Sequence, residues 1–101
     1  MITYKTQPNH TNRLAALTIG HRLQTALDFL HNTGTHRPRR ITMEALLCNR
    51  AEAITLWSLL WTDFDGIDHT EADRLREEIH SAYTNAVIRL RTKRGRTTTS
   101  A

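Results

Sequence analysis

Apolar positions recur along this chain at three- and four-residue spacing in three separate blocks, and no stretch of useful length alternates as a half-buried strand would. The first block predicts a helix from Thr11 to Asn32. At about 100° per residue, Ala15, Ala16, Ile19, Leu23, Ala26, Leu27 and Leu30 form one stripe, with His21, Gln24, Thr25, Asp28 and His31 opposite. Thr11 is the expected N-cap. Gly20 costs about 1 kcal/mol against alanine in a helix interior, so close packing or a kink is expected there. Asn32-Thr33-Gly34 supplies the stop.

The second block predicts a helix from Met43 to Thr62, capped by Thr42, with Glu44 favourably placed in its first turn. Its main stripe takes Met43, Leu46, Leu47, Ala53, Ile54, Trp57, Leu60 and Trp61, leaving Leu56 and Leu59 outside. From Ala53 to Trp61 only Thr55 and Ser58 are polar, and a helix apolar all round is normally buried all round. The third block predicts a helix from Thr70 to Thr92. Ala72, Leu75, Ile79, Ala82, Tyr83, Ala86, Val87 and Leu90 share one face, and Arg74 and Glu78 form an i,i+4 pair. Asp68 with Glu71 suits a capping box variant ahead of it, and Thr70 with Asp73 is the competing register.

The elements add up to an all-α three-helix bundle: one domain over residues 1–92, an extended N-terminal arm over 1–9, and a flexible basic C-terminal tail over 93–101. Composition agrees, since 101 residues make one domain and 39% hydrophobic residues suffice for a modest core. Cys48 is the single cysteine, so no disulfide can form within these residues. The first ten residues lack the apolar run of a signal peptide, and no run approaches a membrane span. A cytoplasmic protein without membrane contact is the expectation.

Formal charge is +4, unevenly distributed. Residues 63–78 carry seven acids and two arginines, whereas residues 79–101 carry five bases and no acid. The basic segments offer a nucleic-acid contact through Arg37, Arg39, Arg40, Arg91, Lys93, Arg94 and Arg96, since basic arms gain affinity by counterion release. In an up-down-up bundle both segments fall at one end.

Catalytic and metal chemistry find little footing. The acidic turn from Asp63 resembles a calcium loop only superficially, because the position that needs a bidentate glutamate holds Arg74. Six histidines include no HExxH, and neither a CxxC, a nucleophile elbow nor a glycine-rich phosphate loop is present. A non-enzymatic protein without cofactor, metal or small-molecule substrate is expected.

Helix 2 carries the sharper signal. Arg50 falls by phase inside its apolar stripe, so it must sit at a rim or pair with an acid such as Asp28 or Glu78. Trp57 and Trp61 lie one turn apart, and tryptophan and arginine are enriched at binding hot spots. Two neighbouring helices cannot wrap helix 2 completely. A protein interface built from Arg50, Leu56, Trp57, Leu60 and Trp61 follows, with a homodimer as the simplest cover. The functional expectation is a small binding or regulatory protein, an inhibitor or adaptor, with nucleic-acid binding through the basic pole as the alternative.

Overall fold

A computed structural model describes the backbone of residues 2–6, 9–33 and 41–100, and side chains as far as residue 92. It contains α1 (His10–Asn32), α2 (Met43–Ser58) and α3 (His69–Ser100), with a π-helical turn over Leu59–Asp63 closing α2. Each helix packs on both others, giving the expected three-helix bundle. The described residues contain no strand, and no helix among them is long and apolar enough to cross a membrane.

The caps explain where the helices begin. The Asn9 side chain, rather than Thr11, caps α1 by accepting from the backbone N–H of Thr11 at 2.9 Å and Asn12 at 3.3 Å, which lets the helix start at His10. Thr42 caps α2 through the Ala45 N–H at 3.1 Å. Asp68 caps α3 through the Glu71 N–H at 2.8 Å. The α3 backbone continues to Ser100, eight residues beyond the end that the hydrophobic pattern indicates. Past Thr92 the apolar face is gone, so periodicity carries no signal for those last turns.

The core has two lobes. Leu23, Leu27, Leu56, Leu60, Ile67, Leu75 and Ile79 fill the larger one, and Leu30, Leu46, Ala82 and Ala86 the smaller. Here the phase of α2 departs from the sequence expectation. Leu56 and Leu60 are 6% and 0% exposed, whereas Leu47 and Ile54 are 44% and 45% exposed. The physical reason is that the inward line is Leu46, Ala53, Leu56 and Leu60, which spans only about 80° of the helix at 100° per residue. That width is what α1 and α3 can cover between them. Leu47 and Ile54 lie about 100° further round and fall outside it.

The N-terminal arm is docked. Ile2 enters the larger core lobe, and Tyr4 packs against it. Thr3 N–H donates to Glu71 Oε2 at 2.6 Å, Lys5 N–H donates to the Gly66 carbonyl at 2.8 Å, and Lys5 Nζ pairs with Asp65 at 2.9 Å. Gly20 is required by this arrangement: a Cβ there would lie 1.9 Å from the Tyr4 hydroxyl oxygen. Gly66 likewise sits against Leu60 and Ala16, next to Asp65 in the left-handed region at φ 47°.

Gly20→Ala therefore separates two effects. Helix propensity alone favours alanine by about 1 kcal/mol. The added methyl instead expels the Tyr4 ring and loosens the arm. Trypsin cleavage after Lys5 is expected to accelerate, with no gain in thermal stability. A stabilised variant with an equally protected arm would mean that Tyr4 does not seat on Gly20.

Candidate interaction surface

The α2 helix presents two parallel seams. The inner seam, Leu46, Asn49, Ala53, Leu56 and Leu60, turns to the bundle. The outer seam, Met43, Leu47, Arg50, Ile54, Trp57 and Trp61, is offset from it by one residue and repeats in steps of four and three, the spacing of a helix-to-helix contact. Contacts place this outer seam on the side of α2 that borders α3. The Arg50 guanidinium lies over the Tyr83 ring, 4.8 Å from its centroid. Trp57 Nε1–H donates to the Ala72 carbonyl at 2.8 Å. The Trp61 ring stands 5.8 Å from that of His69.

The five interface residues named from sequence thus divide. Arg50 is exposed, while Trp57 and Trp61 are half-buried and pack against the larger core lobe. Leu56 and Leu60 are core residues covered by the chain itself and offer no surface. In their place stand Leu47 and Ile54, which sequence reasoning merged into the buried stripe. The one-residue offset between two heptad-like sets was the signal that could have separated them.

Arg50 occupies the rim and stacks on an aromatic face, a cation–π contact worth about 0.5–1 kcal/mol at an exposed site. The acids considered as its partners are engaged elsewhere. Asp28 accepts from Gln24 at 3.0 Å, and Glu78 accepts from Arg74 at 2.9 Å and lies 3.3 Å from His31 Nε2. Leu14, Leu17, Phe29 and Ile88 are also exposed. What distinguishes α2 is charge. Between Ala45 and Thr62 only Arg50 and Glu52 are charged, and Glu52 faces Arg22 at 3.8 Å on the α1 side.

The groups with displaced titration lie away from this face, at the arm. The Arg74 guanidinium donates to Glu71 and holds its carboxyl below the usual carboxylate range against the opposing effect of burial, with the Thr3 N–H adding to the downward shift. Burial pushes the Tyr4 phenol up. Together they form a latch. A cavity of about 300 Å³ opens beside it, lined by Tyr4, Lys5, Thr6, Arg13, Ala16 and Leu17, but Lys5 there is committed to Asp65. No cluster of three or more metal-ligating side chains occurs among the described residues.

Of the basic residues, Arg91 is exposed. Arg37, Arg39 and Arg40, and the side chains of Lys93, Arg94 and Arg96, lie outside the described residues. The Arg89 guanidinium donates to the carbonyls of Leu30 at 2.9 Å and His31 at 3.2 Å, and also to that of Thr33. It satisfies carbonyls that the end of α1 leaves unpaired, and it fixes late α3 beside the start of the 33–41 segment. No family model, curated protein sequence or solved structure matches this chain.

Proposed function

We propose that the chain is a small non-enzymatic binding protein, regulatory in kind, that acts as an inhibitor or adaptor by receiving a partner helix on the outer seam of α2. The observation that carries this reading is the exposure of Leu47 and Ile54 on the same seam as the half-buried Trp57 and Trp61. Large aliphatic side chains at heptad spacing, flanked by aromatics and one arginine, form the kind of anchor cluster that dominates helix-in-groove recognition. The face is nearly free of charge, so contact there desolvates few ionic groups.

Capture from source-cell extract on immobilised protein tests this when wild type is run beside Leu47→Glu/Ile54→Glu. Both substituted positions are exposed, so the variant is expected to keep the wild-type circular dichroism spectrum. The reading predicts a discrete partner retained by wild type and lost by the variant. Partners held equally by both would overturn it.

A second reading, nucleic-acid binding, draws support from the Arg89 contacts to the end of α1 and from the exposure of Arg91 beside them. Its signature would be duplex binding that weakens steeply with salt and that Arg91→Ala reduces.

A further inference from the structure

We infer that the occupant of the outer seam is the same seam of a second copy, with the two α2 helices antiparallel and crossing at Ala51. This rests on the reading of α2 as a binding face and names its partner.

Three observations converge on it. The first is shape. Leu47 and Ile54 are about 10 Å apart along the helix at 1.5 Å per residue. Their midpoint falls beside Ala51, an exposed residue with a minimal side chain. An antiparallel copy sets Leu47 against the partner's Ile54 on both sides of that point, and alanine at the crossing permits close approach of the two axes.

The second is local charge. The only cation of the seam, Arg50, is drawn aside onto Tyr83, so two copies can meet without opposing guanidinium groups at the centre. An acidic or basic partner, by contrast, would find little on this face to read.

The third is charge over the whole bundle, and it selects both the occupant and its direction. The C-terminal end of α2 leads into residues 63–78, with seven acids and two arginines. The opposite end holds Thr33 and Arg89 in contact, and residues 79–92 contribute two arginines, Arg89 and Arg91, and no acid. An antiparallel pair lays the acidic end of each copy beside the basic end of the other. A parallel pair would set like against like. The α2 dipoles also oppose favourably only in the antiparallel pair.

Sedimentation and site-directed crosslinking of the full chain test this. Wild type is expected to sediment as a dimer at micromolar concentration, and Leu47→Glu/Ile54→Glu as a folded monomer. In a Cys48→Ser background, Glu44→Cys chains mixed with Ser58→Cys chains should form the 44–58 disulfide preferentially, because these positions lie within half a residue of symmetry about the midpoint of Leu47 and Ile54. Preferential 44–44 and 58–58 products would mean a parallel pair, and a wild-type monomer would mean no pair; either overturns the inference. If wild type is monomeric and Leu47→Glu/Ile54→Glu nonetheless loses a captured partner, the second copy is refuted while the binding face stands.

Discussion

Truncating Leu60 to alanine is expected to lower unfolding free energy by about 2–5 kcal/mol, the range for a fully buried leucine whose site cannot collapse. Truncating Ile54 in the same helix should cost less than about 1 kcal/mol in the isolated monomer, where its side chain is half solvated. Leu60 contacts the larger core lobe and lies 2.7 Å, through its Cδ1, from where a Cβ on Gly66 would stand. The space left by its removal is bounded by helix and turn backbone that has little freedom to close. Urea denaturation of dilute protein measures both changes. Equal losses at the two positions would mean that the α2 helix is rotated from the orientation described.

The second large effect belongs to Glu71, whose carboxylate joins the N-terminal arm to α3. It accepts the Thr3 N–H from the arm and takes two donors from Arg74 while standing almost fully buried at the start of α3. Hydrogen bonds to a charged group contribute about 1.5–3 kcal/mol, so Glu71→Ala should destabilise by that order at neutral pH and release the arm. The pH dependence follows from the direction of the shift. The folded-state pKa is lowered, so the stabilisation is fully present above the ordinary carboxylate pKa and is lost as pH falls through that value toward the lower folded one. The difference in stability between wild type and Glu71→Gln should accordingly be constant at neutral pH and shrink on acidification below about pH 5. A difference that persists unchanged to pH 3 would show that the charge of Glu71 contributes nothing to the latch.

The fold was legible wherever periodicity had one explanation. On α3 a single apolar face meets the bundle, and the pattern from Ala72 to Leu90 identifies it. At Thr42 and Asp68 an acceptor side chain stands where a helix must begin. Helix α2 defeated the same reasoning because it carries two apolar seams one residue apart. A window that sums hydrophobicity merges them, and only the positions of α1 and α3 decide that Leu46, Leu56 and Leu60 turn inward. The docking of the arm was invisible for another reason. Its anchors are Gly20, Gly66 and Glu71, and nothing in the local spacing of the first nine residues reports a contact with positions that far along the chain. Gly20 did register as an unfavourable residue in mid-helix, and the Tyr4 ring accounts for it.

The candidate site was legible in kind and not in detail. Arg50 stood out because a charge interrupted an apolar stripe, and Trp57 and Trp61 because aromatics recurred one turn apart. Leu56 and Leu60 were drawn into the site by counting how much of α2 two neighbours could cover. The count was sound, but it assigned the surplus to the wrong residues. The uncovered positions are those on the side of α2 that borders α3, and they are aliphatic side chains that look like core in any linear reading.

On the proposed reading, α2 has one face for its own bundle and another for a second helix. Methyl-resolved NMR with a soluble paramagnetic relaxation agent tests this directly. In dilute protein, the methyl signals of Leu47 and Ile54 should broaden strongly while those of Leu56 and Leu60 remain sharp. At high concentration Leu47 and Ile54 should become protected as well. Broadening of Leu56 and Leu60, or protection of Leu47 and Ile54 at every dilution, would contradict it.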